Sequence, residues 1–100
     1  MEPYQKIMAE FNPWKKERFE TDVLDYELQR LTVWNDDVNT FDWVIESLVE
    51  ICEHSPEQAE QCALLIHFKG KCAVKNGSFE ELRPKCEALI NRGINATVDN

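Results

Sequence analysis

Apolar residues change their spacing several times along this chain, and each change marks an element. Leu28, Leu31, Val33 and Trp34 are strand formers, and Asn35-Asp36-Asp37 ends the run with turn chemistry, which predicts a strand over roughly Gln29 to Trp34. Asn39 then has the form of an N-cap, with acidic Asp42 at N3. The helix it opens carries Phe41, Val44, Ile45, Leu48, Ile51 and Cys52 at i, i+3, i+4 spacing, with Asp42, Glu46, Glu50 and Glu53 on the remaining faces. Ser55-Pro56-Glu57-Gln58 predicts a second start. Serine caps, proline at the first helical position loses no hydrogen bond, and Gln58 completes the box. Ala59, Cys62, Ala63 and Ile66 make the inward stripe of this helix, and Gly70 suits a left-handed stop.

Cys72-Ala73-Val74 reads as a second strand closed by an Asn76-Gly77 turn. Ser78-Phe79-Glu80-Glu81 is a further capping box, opening a helix whose Leu82, Cys86, Leu89 and Ile90 face inward until Gly93 ends it. Pro84 lies beyond the first turn, so either the helix is kinked there or its regular part begins near it. Ile94 to Val98 forms a final strand. The order β-α-α-β-α-β specifies an α+β core domain over residues 28–100, a small three-stranded antiparallel sheet packed against three helices. Residues 1–27 differ: Pro3 and Pro13 interrupt them and no stripe is sustained, so they read as a variable, partly flexible N-terminal extension. Its Phe11, Trp14 and Phe19 either pack on the domain or dock on a partner.

Composition narrows the function classes. One hundred residues make one domain, and at that size roughly two thirds of the unfolded surface is buried, too little for a core plus a large substrate cavity. The net charge of −8, with no basic stripe, argues against nucleic acid. No apolar run approaches a membrane span, and the first residues lack the order of a signal peptide, so a soluble cytoplasmic protein is expected. Cys52, Cys62, Cys72 and Cys86 contain no close pair of the kind zinc sites use, and neither His54 nor His67 completes one. They read as small buried hydrophobes, with no metal and no cofactor.

The negative field is concentrated mid-chain, where Asp36, Asp37, Asp42, Glu46, Glu50 and Glu53 are balanced by Arg30 alone; this favours a cationic ligand, while Glu46, Glu50 and Glu53 read as a solvated helix face. Asn35, Asp36 and Asp37 sit where the first strand leaves the sheet, and His67 lies in the last turn of the second helix. If both helices pack on one sheet face, an amide oxygen, two carboxylates and an imidazole converge beside Phe41, Val44 and Ile66. That is an acceptor cluster rimmed by an apolar wall, suited to a primary ammonium attached to a hydrophobic side chain. Each residue alone has a plainer reading, as turn, cap or dipole partner. Catalysis by Asp36 or Asp37 with His67 lacks a nucleophile, since Ser47 reads as a helix-surface residue and Ser78 as a cap.

The stretch Val33-Trp34-Asn35-Asp36-Asp37-Val38-Asn39-Thr40-Phe41-Asp42-Trp43-Val44, then Ala59 to Ile66, then His67-Phe68-Lys69-Gly70-Lys71, resembles the ClpS family of Clp protease adaptors, over roughly Leu28 to Val98. The resemblance implies a compact adaptor that is not an enzyme. Its partners would be N-end rule substrates beginning with Leu, Phe, Tyr or Trp, which it hands to a hexameric AAA+ Clp unfoldase for degradation. It places Asn35, Asp36, Asp37 and His67 around the substrate α-amino group and Phe41, Val44 and Ile66 in the side-chain pocket, with Asn39 and Thr40 at its edge. Glu80 and Lys85 fall where the family meets the unfoldase's N-terminal domain, and residues 1–27 match the variable extension that the unfoldase engages. Two positions depart from the family: Phe41 stands where many members have Met at the pocket gate, and Asn39-Thr40 where Thr-Pro is common. The alternative is a general protein-interaction domain of the same fold without an amine pocket, as in the C-terminal domain of the ribosomal stalk protein.

Overall fold

The computed structural model describes residues 28–100, and the reading of residues 1–27 as an arm lies outside the described residues. Six elements follow in the expected order: β1 (Gln29–Trp34), α1 (Phe41–Cys52), α2 (Pro56–Lys69), β2 (Lys71–Gly77), α3 (Phe79–Asn91) and β3 (Ala96–Asp99). The sheet order is β2-β1-β3, with β1 antiparallel to both neighbours. A three-stranded antiparallel sheet with three helices is the architecture read from the pattern of apolar positions.

The core joins β1 to all three helices. Leu31 and Val33 from the strand meet Leu48 and Cys52 of α1, Ala59 and Ile66 of α2, and Leu82 and Leu89 of α3. Burial of these side chains is the main force holding the helices on the sheet, at roughly 1.5–3 kcal/mol for each large aliphatic group. Between Leu31 and Thr32 the register slips, Leu31 facing Lys75 and Thr32 facing Ala73, which leaves Val74 as the extra residue of a β-bulge. The Val74 carbonyl accepts a hydrogen bond from Nε2 of buried His54 at 2.7 Å.

Helix boundaries follow local chemistry at three of four caps. Ser55 accepts from the Gln58 N–H and Ser78 from the Glu81 N–H, and Gly70 closes α2 at φ 94°. The first helix departs by one residue: Thr40, not Asn39, is its N-cap, with the hydroxyl accepting from the Trp43 N–H at 3.1 Å. Asn39 is drawn elsewhere, its side-chain N–H groups donating to Asp36 and to the Gly93 carbonyl. With Thr40 as cap, Asp42 lies at N2 rather than N3.

Further readings are corrected. Asn76 and Gly77 are not a turn but the end of β2, held there by pairing with Arg30 and Gln29. The last strand begins at Ala96 rather than Ile94, although Ile94 itself is buried. Ile90 is 52% exposed instead of inward-facing. Ser47 is fully buried, because Arg92 reaches across from the end of α3 and donates to its hydroxyl at 3.2 Å. The same guanidinium bridges Glu50 at 2.6 Å and lies over the Trp43 ring. Pro84 sits inside α3, which runs through it from Phe79 to Asn91. Cys52 and Cys86 are buried as expected, whereas Cys62 and Cys72 are partly exposed, and all four thiols are free.

Candidate functional site

Two backbone hydrogen bonds fix the end of β1. Trp34 N–H donates to the Asn95 carbonyl and Asn35 N–H to the Gly70 carbonyl, both at 2.9 Å. The second bond brings Asn35 to the C-terminal end of α2, where His67 stands one turn before the Gly70 stop.

Beyond Asn35 the chain turns on Asp36. One carboxylate oxygen accepts from the backbone N–H groups of Val38 and Asn39 at 2.9 Å, and the other from the Asn39 side chain at 2.8 Å. These bonds, the Asn39 N–H first among them, hold the Asp36 carboxyl below the usual carboxylate range despite the opposing effect of burial. Asn39 then ties the loop to the Gly93 carbonyl across the fold. Asp36 and Asn39 therefore build the loop, and the exposed Asp37 stays outside this hydrogen-bond set.

The loop, the start of α1 and the end of α2 enclose a cavity of about 390 Å³. It is lined by Asn35, Asp36, Asp37, Asn39, Thr40, Phe41, Val44, Ala63, Ile66 and His67. Every residue placed around an amine or in a side-chain pocket by the sequence thus lines a single cavity. Ala63 joins them; its small size, assigned to the helix stripe alone, leaves room between α1 and α2. Acceptors gather at the mouth, and Val44, Ala63 and Ile66 form the apolar wall. Phe41, 38% exposed, is the first residue of α1 and stands edge-on to His67, with ring centroids 6.2 Å apart at 86°. The Phe68 ring also stands edge-on to His67, at 4.8 Å and 79°.

Glu80 and Lys85 are on α3, away from this cavity. Glu80 is exposed in the first turn, whereas Lys85 is half-buried and its ammonium donates to the Ile51 carbonyl at the end of α1, 3.1 Å away. Lys85 thereby satisfies one of the carbonyls left open at a helix C-terminus. Among the described residues no group of three or more His, Cys, Asp or Glu is placed to hold a metal ion, and no helix is long and apolar enough to cross a membrane.

A family model described as ATP-dependent Clp protease adaptor protein ClpS matches residues 26–97. The chain is also similar to the ATP-dependent Clp protease adapter protein ClpS of Nitratidesulfovibrio vulgaris (strain DSM 19637 / Miyazaki F), with 29% identity over 66 residues. That match spans 64% of this chain and 66% of the relative's own length. In fold, it is similar to Agrobacterium tumefaciens ClpS2, solved bound to L-phenylalaninamide. The TM-score is 0.68 at 19% identity, covering 73% of this chain and 95% of that one.

Proposed function

The chain belongs to the ClpS family of ATP-dependent Clp protease adaptor proteins, and from that premise we propose that its cavity receives the first residue of N-end rule substrates. The ligand is a free α-amino group on Leu, Phe, Tyr or Trp. The observation that carries the reading is the division of the cavity into an acceptor mouth and an apolar wall. An ammonium has three N–H donors and needs three acceptors when water is excluded. The Asn35 amide oxygen, the Asp37 carboxylate and a neutral nitrogen of His67 supply them, while Asp36 keeps the loop in place for the other three. The hydrophobic side chain enters between Val44, Ala63 and Ile66, with Phe41 at the gate. The relative solved with L-phenylalaninamide holds a ligand of the same chemistry, a free amine beside an aromatic side chain.

Delivery is the second half of the proposal. The N-terminal domain of a cytoplasmic Clp AAA+ unfoldase docks at α3 around Glu80 and Lys85, and residues 1–27 are engaged by the unfoldase. The adaptor binds and hands over without turning over the peptide.

Alanine at Asn35, Asp37 or His67 tests the amine contacts. Each removes one acceptor from a charged donor, a loss of about 1.5–3 kcal/mol, or roughly 10- to 150-fold in affinity for a Phe-led peptide. Circular dichroism should show the fold unchanged, since none of the three is in the core. Unaltered affinity in all three variants would remove the cluster from the binding site.

A further inference from the structure

We propose that Phe68, which is not among the cavity-lining residues, is a positioning residue for His67: its ring holds the imidazole in the orientation that faces a bound amine. The effect on ligand rests on the amine-binding reading above; the packing of the two rings does not.

His67 is exposed at the end of α2, and a histidine in that setting has two side-chain torsions free to turn. Two aromatic rings among the described residues stand against it. The Phe41 ring stands with centroids 6.2 Å apart and the Phe68 ring at 4.8 Å, both near-perpendicular to the imidazole. These are the separations and angles at which edge-to-face pairs attract, and Phe68 is the nearer of the two. Consecutive helix residues ordinarily diverge around the axis. The short distance between His67 and Phe68 therefore means that the two side chains lean toward each other.

Folding does not explain the phenyl ring at position 68. It is 75% exposed, while the inward stripe of α2 is Ala59, Ala63 and Ile66. A large apolar group left in water serves the packed core poorly and serves the imidazole beside it well. Contrast His54, which is buried and oriented by a hydrogen bond to Val74. His67 needs its nitrogen lone pair free for the ligand, and a ring contact restrains it without occupying a nitrogen.

Phe68 therefore acts on the amine end and not on the side-chain pocket. Titrating Phe-led and Leu-led peptides against the wild type, Phe68→Ala, Phe68→Tyr, His67→Ala and the Phe68→Ala/His67→Ala double variant tests this. Phe68→Ala is expected to weaken both peptides by the same factor, about 3- to 10-fold. Phe68→Tyr should restore affinity, and the double variant should bind no worse than His67→Ala alone. Without ligand, the side-chain rotamer populations of His67, read from its three-bond Hα–Hβ couplings, should spread in Phe68→Ala and not in Phe68→Tyr.

A Phe68→Ala loss that persists in the His67→Ala background, or that depends on the peptide's second residue, would show the ring touching ligand directly and overturn the inference. Unchanged His67 rotamer populations would overturn it too. Were the wild type to bind neither peptide, the amine reading would fall, and the rotamer populations would still decide whether Phe68 holds His67.

Discussion

Asp36 and Asp37 are neighbours of the same type with different work. Asp36 accepts three hydrogen bonds from its own loop, and these hold its carboxyl below the ordinary value. A carboxyl depressed in the folded state contributes stability above its unfolded pKa and loses it as the pH falls through the folded one. Asp36→Asn keeps the side-chain shape but removes the charge. Thermal melts should show the wild type ahead of this variant at neutral pH and the gap closing below about pH 4; a constant gap down to pH 2 would mean that the carboxylate charge does not organise the loop. From sequence the two carboxylates were indistinguishable, because the partner that singles out Asp36 is Asn39, whose own amide is anchored by Gly93 from the far end of the chain. Phe41 was equally open, as gate or as part of the buried stripe with Val44 and Ile45. Its 38% exposure at the cavity separates it from that stripe. Phe41→Ala should cost about 1 kcal/mol, well short of the ~3–5 kcal/mol of a core phenylalanine. The proposed gate role adds that Ile- and Val-led peptides gain affinity relative to Phe-led ones. Isothermal titration with Leu-, Phe-, Ile- and Val-led peptides reads the ranking, and an unchanged ranking would take Phe41 out of the gate.

Element boundaries were legible where the deciding chemistry is local. Ser55, Ser78 and Gly70 act within four residues of their own helix ends, and all three do what their residue types imply. Boundaries moved where a distant partner decides. Asn39 yields the cap to Thr40 because its amide spans to Gly93; Asn76-Gly77 extends β2 because β1 offers pairing partners; Ser47 is buried because Arg92 arrives from α3. Lys85 belongs with these, since its bond to Ile51 couples α3 to the end of α1. Lys85→Ala should lower stability by about 0.5–1.5 kcal/mol in urea titration, whereas Glu80→Ala, at an exposed position, should stay within about 0.5 kcal/mol of the wild type. A degradation defect in Lys85→Ala alone would therefore confound docking with stability. Glu80→Ala, with peptide affinity intact and delivery reduced, is the discriminating variant for the unfoldase contact. The thiols show a similar dependence on packing. Burial first, and then neighbouring Cys72, push the Cys62 thiol up to about 12, so it is protonated at neutral pH. Iodoacetamide should label Cys62 slowly at pH 8 in the folded chain and readily in denaturant; equal rates would mean that the α2–β2 contact opens freely.

The described residues form a small scaffold in which the end of β1, α1 and α2 converge on one mouth. β1 delivers Asn35, α1 begins at Phe41, the last turn of α2 carries His67, and the loop before β3 anchors Asn39 through Gly93. That convergence was legible in part, because the acceptors fall at element ends. Its apolar wall was read from Phe41, Val44 and Ile66, but not the part of Ala63, which leaves space between helices that only tertiary packing brings together. For the extension, removal of residues up to about Asp22 should leave peptide affinity and thermal stability nearly unchanged yet block degradation by the unfoldase. A large loss of stability would show instead that Phe11, Trp14 and Phe19 are core. The most direct measurement is a titration with one Phe-led peptide in two forms, free and N-acetylated. Acetylation removes the positive charge and two of the three amine donors while leaving the phenyl ring to fill the apolar wall. Binding of the free peptide and loss of at least about 100-fold on acetylation is the outcome expected of an amine-reading adaptor; equal affinity for the two forms would contradict it.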